Sequence, residues 1–293
     1  MRSALVTIIG SILAAFALLA AQSGKMAVPD SWTARRPPFK IMGNIYYVGS
    51  ADLASYLITT KAGHILIDTG HQRNADAVIE SIARLGFDVE NVRLLLTTQA
   101  HFDHVGAHEA IRRRSRAKVL AASGDAPVMK GGGKGDHFLG PDYAFPPVRV
   151  DRLIHDGEVV TLGDTSLTAR ITPGHTRGTT TWTTTVLDRN GRMRHVMVMG
   201  STAVLEGVRL VGNREYPQIA SDFRRSFRVL KSLPCEVFLA AHASSFDGMR
   251  KAEAARAGQG EEVFIDPEGC RAAVERSETA FETELERQQT QRR

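Results

Sequence analysis

The sequence predicts an α/β chain in which two mixed sheets lie sandwiched between helices. Three observations carry that expectation. Short apolar runs of strand length alternate with turn residues in both halves of the 293 residues. Helical spacing interrupts them at Val78, Ile79, Ile82 and Leu85, and again at Ile219, Phe223, Phe227 and Leu230. Apolar residues make up 43% and charged residues 24%, the balance of a chain that can bury a full core and not of a disordered or collagen-like one.

The N-terminus reads as a unit of its own. Met1 and Arg2 precede an almost wholly small or apolar run over 4–21, followed at once by Gln22, Ser23, Gly24 and Lys25. That is the layout of a signal peptide cleaved after Ala21, which implies an exported, periplasmic protein. A retained membrane anchor is the alternative, at about 18 residues, the lower edge of what spans a bilayer. Residues 22–293 are then expected to form one domain.

Past Pro37 and Pro38, runs 45–48, 56–60 and 64–67 read as strands, 74–85 as a helix ending at Gly86, 92–96 as a buried strand and 105–114 as a helix. The second half repeats the rhythm. Strands are expected at 118–122, 167–171, 180–186, 195–199 and 237–241, an amphipathic helix around 219–230, and a terminal helix over 270–288. The glycine-rich stretch 131–135 reads as a flexible loop between the two sheets, either a plain linker or a flap over a pocket.

Charge and cysteine content narrow the function classes. The formal charge of +5 is spread out, with its densest patch at Arg112, Arg113, Arg114 and Arg116 opposed by Glu261, Glu262 and Glu275. No aromatic residues interleave with the basic ones, so no nucleic-acid partner is expected. Cys235 and Cys270 are the two cysteines. In an exported chain an even count makes a disulfide the default, against two free thiols, and their spacing matches no zinc-binding cysteine cluster.

The chemistry concentrates in Gln99-Ala100-His101-Phe102-Asp103-His104, where the strand at 92–96 gives way to a helix. A loop can turn two ligands to one metal and two to another, which a regular helix or strand cannot. His175, in Pro173-Gly174-His175-Thr176, and His242, in Ala241-His242-Ala243, each follow another predicted strand. Three strand ends carrying ligand-type residues predict a metal site, and nitrogen and oxygen donors without thiolate favour zinc.

This pattern resembles the metallo-β-lactamase superfamily, whose signature is His-x-His-x-Asp-His, and Asp68-Thr69-Gly70 matches an early turn of that family. Thr179 to Thr181 with Trp182, Gly200-Ser201, Asn213, Tyr216-Pro217 and Leu233-Pro234-Cys235 are similar to subclass B3 enzymes in particular. The resemblance implies an αββα sandwich, a small-molecule β-lactam substrate and one or two Zn2+ ions per chain. Gln99, His101 and His175 would hold the first ion, and Asp103, His104 and His242 the second. The departure is Gln99, where the family pattern has histidine. The resemblance further implies hydrolysis of the β-lactam ring of penicillins, cephalosporins and carbapenems by metal-bound hydroxide, with Asp103 as the catalytic carboxylate. Ser201 is a candidate substrate contact, and Phe138 and Tyr216 are candidate pocket walls. A lactonase, thioesterase or phosphodiesterase on the same scaffold is the alternative, because fold does not dictate function.

Overall fold

Period-two alternation builds the first sheet. Its seven strands pair in chain order: β1 (Phe39–Met42), β2 (Ile45–Tyr47), β3 (Tyr56–Thr60), β4 (Gly63–Ile67), β5 (Val92–Leu96), β6 (Lys118–Ala122) and β7 (Arg152–Ile154). The structure, a computed structural model, describes residues 28–291, and the signal segment expected at 1–21 lies outside them. Tyr56, Ile58, Ile65, Ile67, Leu96 and Leu120 point into the core between the sheets. Leu57, Leu66, Leu95 and Val119 point to the opposite face and form a second core.

The second sheet has the order β12-β11-β10-β9-β8, with β8 (Val159–Leu162), β9 (Thr165–Ile171), β10 (Thr180–Leu187), β11 (Met193–Met199) and β12 (Val237–Ala240). Its pairs are antiparallel except β11 with β12. In chain order the helices are α1 (Asp30–Thr33), α2 (Ala75–Arg84), α3 (Phe102–Val105), α4 (His108–Ser115), α5 (Ala126–Gly131), α6 (Ile219–Ser232), α7 (Gly248–Ala254) and α8 (Pro267–Thr290). Val78 and Ile82 of α2, Ile111 of α4 and Met129 of α5 cover the outer face of the first sheet. Phe223 and Phe227 of α6 meet Phe281 of α8, ring centroids 5.1 and 5.7 Å apart, over the second. Two mixed sheets flanked by helices are what the sequence predicts.

Several expectations need correction. The helix expected over 105–114 is two helices, broken at Gly106 and Ala107. There Val105 pairs with Gly70 in an isolated bridge, and a Cβ on Gly106 would stand 2.5 Å from the Gln72 nitrogen. The backbone of the turn before α2 presses against this point, so the chain leaves the helix to bond it. The glycine stretch 131–135 is not a connection between sheets. Gly131 ends α5, Gly132 takes the left-handed conformation that caps it, and the first sheet continues afterwards into β7. The terminal helix starts at Pro267, three residues early, because Asp266 caps it by accepting from Gly269 N–H. Strands β1, β7 and β8 are unforeseen; the last two are three and four residues long and largely exposed, so they carry no apolar alternation.

Cys235, just before β12, is disulfide-bonded to Cys270 in the first turns of α8. The bond spans a sequence separation of 35, and closing a loop of that length restricts the unfolded chain. Replacing both cysteines by serine is expected to cost about 3–4 kcal/mol, read as a lowered urea midpoint under oxidising conditions. An unchanged midpoint would contradict this.

Candidate metal centre

Four strand ends converge at one mouth of the sandwich. β4 runs into Asp68, β5 into Gln99 and His101, β9 into His175 and β12 into His242. Asp103 and His104 sit in the single turn of α3. The sheets are tied together directly beneath this mouth. Trp182 Nε1 donates to Thr97 O at 3.1 Å, and Thr180 N–H donates to Thr98 O at 2.7 Å. The turn into His175 needs its glycine, since Gly174 has φ +142° and a Cβ there would lie 2.6 Å from the Phe223 ring. Asp68 adopts a left-handed φ of 55°, and its carboxylate accepts from Thr98 N–H at 2.8 Å, fixing the start of the Gln99 loop.

Asp103, His104 and His242 each offer a ligand atom, all within 4.8 Å of one another. Asp103 Oδ2 lies 3.2 Å from His104 Nε2 and 3.6 Å from His242 Nε2. His101 and His175 form the neighbouring pair, ring centroids 4.7 Å apart. Each of the four imidazoles has one nitrogen turned to an outer acceptor. His101 Nε2 faces Asp136 Oδ2 at 3.2 Å, His104 Nδ1 faces Asp68 Oδ2 at 3.6 Å, His175 Nδ1 meets Ala203 O at 2.7 Å, and His242 Nδ1 meets Asp52 Oδ2 at 3.1 Å. The other nitrogen of each ring is thereby left for a cation, the arrangement by which outer partners orient metal-binding histidines.

The donor set fits a divalent cation on a further observation. Both ring nitrogens of His104 are buried and without a hydrogen-bond partner among the described residues, although carboxylates stand beside each. A buried polar atom without such a partner is costly unless something else satisfies it. Electrostatics agree. Burial opposes charge at Asp103, but His104 and then His242 hold its carboxyl well below the usual carboxylate range. Burial also opposes charge at His104, yet Asp103 and then Asp68 push that imidazole up to about 10. At His175, burial and repulsion from His101 drive the ring down to about 3, so it stays a neutral donor.

Of the expected site residues, Asp103, His104 and His242 cluster and His101 pairs with His175, while Gln99 stands in the same loop as His101. Gln99 is 1% exposed, and its Oε1 accepts from Ser201 N–H at 2.7 Å, so one lone pair of the would-be ligand oxygen is engaged. Ser201 lines a cavity of about 1020 Å³ with His242, the loop 202–207 and one face of α8. Phe138 is 40% exposed and does not line the cavity, although it lies beside Gly207, which does. Tyr216 is buried instead, its hydroxyl donating to Asp222 Oδ2 at 2.8 Å and its ring packed against His137. The sequence reading missed Asp52 and Asp136 and gave Asp68 no partner. An Asp-His-Phe turn at 136–138 and an acidic residue beside Leu53 were the available signals, and neither is specific.

Zinc calorimetry of the wild type and Gln99→His tests the ligand assignment. At pH 7.5 His104 carries a proton, so zinc at Asp103, His104 and His242 displaces it, and affinity there rises with pH towards about 10. Buffers of different ionisation enthalpy are expected to register at least one proton released. Gln99→His is expected to tighten the second zinc equivalent about tenfold, since imidazole is the stronger donor. A second equivalent bound no more tightly would remove Gln99 from the ligand set.

Residues 53–188 match the family model described as the metallo-beta-lactamase superfamily. The native FEZ-1 metallo-β-lactamase of Legionella gormanii is 43% identical, with a TM-score of 0.86, over 88% of this chain and 98% of that one. The class B3 di-zinc metallo-β-lactamase LRA-12, from an Alaskan soil metagenome, is 34% identical with a TM-score of 0.82, over 87% and 96%. Among curated proteins, a probable metallo-hydrolase of Burkholderia pseudomallei is 34% identical over 112 residues, 38% of this chain and 37% of that protein. An acyl-coenzyme A thioesterase of Gallus gallus is 32% identical over 29% of this chain and 35% of that one, so the curated relatives are matched over about a third of their length. With the family model matched over 53–188 and a metallo-β-lactamase structure matched over nearly its full length at 43% identity, the chain belongs to the metallo-β-lactamase superfamily of hydrolases.

Proposed function

We propose that the chain is a zinc-dependent β-lactamase that opens the β-lactam ring of penicillins, cephalosporins and carbapenems. The observation that carries the reading is the set of oriented imidazoles around Asp103, of which His242 lines a large cavity, in a chain 43% identical to a metallo-β-lactamase. Gln99, His101 and His175 would hold one zinc, and Asp103, His104 and His242 the other. Zinc supplies Lewis acidity and brings the pKa of a water to about 7.

The chain's own residues do the rest. Asp103 Oδ2 is shared between His104 and His242, while Oδ1 accepts no hydrogen bond from the described residues and is free to orient the attacking water. Asp52, Asp68 and Asp136 hold the rings in one orientation, so no reorganisation is needed when charge develops. Ser201 offers its hydroxyl to the substrate carboxylate from the cavity wall. The disulfide, which a reducing cytosol would not maintain, supports export with cleavage of residues 1–21.

The test is turnover of a chromogenic cephalosporin by purified protein. Hydrolysis is expected to vanish with a chelator, return with zinc and survive serine-directed inhibitors. Ser201→Ala is expected to raise KM about two- to fivefold with kcat unchanged, the effect of losing one hydrogen bond to a charged group in an open cavity. Penicillin bound covalently to a serine would sink the zinc mechanism. Turnover of an acyl-thioester with none of the cephalosporin would favour the thioesterase reading instead, which the Gallus gallus relative supports.

A further inference from the structure

Outside the ligand set, one buried carboxylate grips two of the ligand-bearing loops at once. Asp125 follows β6 at the start of α5 and is 1% exposed. Its Oδ2 accepts from Ala100 N–H at 2.8 Å, the residue between Gln99 and His101, and from Thr176 Oγ1 at 2.9 Å, beside His175. Its Oδ1 accepts from Gly178 N–H at 2.8 Å. The backbones meet closely enough to exclude side chains. A Cβ on Gly178 would lie 2.6 Å from the Asp125 nitrogen, and one on Gly124 would lie 2.4 Å from Arg177 O.

This arrangement is demanding. Burial pushes Asp125 up to about 6, and the bonds from Thr176, Gly178 and Ala100 offset that only in part. An apolar residue could fill the volume, but it could not bond two loops from one point. The other ligands are anchored elsewhere. His104 is held from the β4 side, where Thr69 N–H donates to His104 O at 2.9 Å, and His242 is held by Asp52.

We propose that Asp125 is a positioning residue for the metal centre: it sets His101 against His175, and so shapes the half-site with Gln99 while leaving Asp103, His104 and His242 untouched. The inference rests on the metal reading above, and its test includes an arm that needs no metal.

Asp125→Asn keeps the shape but replaces one acceptor oxygen with an amide donor facing an N–H. In the metal-free protein, the imidazole nitrogen NMR signals of His101 and His175 are expected to move while those of His104 and His242 hold. In zinc titration, the equivalent at Gln99, His101 and His175 is expected to weaken about tenfold, and the other by less than about twofold. Asp151→Asn is the matched control. Asp151 Oδ2 accepts from Val119 N–H at 3.0 Å at the far end of β6, so this variant should lower Tm without moving the histidine signals. If Asp125→Asn does not fold, Thr176→Val removes one of the three bonds and should give the same pattern in smaller size. Movement of all four histidines together, movement of none, or an effect equal to that of Asp151→Asn would overturn the proposal. A wild type that binds no zinc would defeat the metal reading alone, because the histidine signals still decide the role of Asp125.

Discussion

A carboxylate at 6% exposure has lost most of its hydration, and Asp103 recovers that stabilisation from two imidazoles whose nitrogens lie within 3.6 Å. The imidazoles are themselves buried and must be oriented, which is the work of a further ring of acceptors at Asp52, Asp68, Asp136 and Ala203 O. Charge balance thus propagates outwards in two steps, from Asp103 to His104 and His242 and from these to Asp68 and Asp52, while Asp136 and Ala203 O orient His101 and His175 beside them. A cation at the centre would complete the pattern, since it would satisfy His104 Nε2, which no hydrogen bond from the described residues reaches.

Such a cluster needs a rigid platform, and strand ends provide one. The proposed ligands come from the ends of strands in both sheets, so any slippage between the sheets would pull His101 from His175. The ties at Trp182 to Thr97 and Thr180 to Thr98 sit where slippage would matter most. Farther out, Phe223, Phe227 and Phe281 lock α6 and α8 onto the second sheet. Gly174 lets the His175 turn settle on Phe223. The aromatic core and the metal loop are therefore in direct contact, and packing transmits to ligand geometry without an intermediary.

The proposed ligands stood out in the sequence because each follows a strand that its own apolar run announces. Gln99 to His104 and His175 needed only local spacing to be placed at a loop. The outer partners were not legible, for a physical reason. Asp52 meets His242 across a separation of 190 residues, and Asp136 meets His101 across 35, so no short motif links them. The sandwich was legible from periodicity, whereas β7 and β8 were not, because short edge strands bury too little to alternate. The broken helix at Gly106 failed for a third reason. Its cause is the backbone of Gln72 pressing from another loop, a tertiary contact that overrides local helical spacing.

Gln99 shows how a departure from the family pattern can be physically coherent. An amide oxygen has two acceptor positions. Ser201 N–H occupies one at 2.7 Å, and the second remains for a cation, so one side chain can join the metal loop to the loop lining the cavity. A neutral imidazole has one acceptor nitrogen, and that nitrogen cannot serve both Ser201 and a metal. Histidine at 99 would therefore gain donor strength and release the 201–207 loop from the centre. Glutamine would make the opposite trade, holding the cavity wall at Ser201 to its own loop at the expense of affinity in a half-site of His101 and His175. With Gln99 as a ligand, a lower metal affinity and the fixed cavity wall would be two consequences of the same amide.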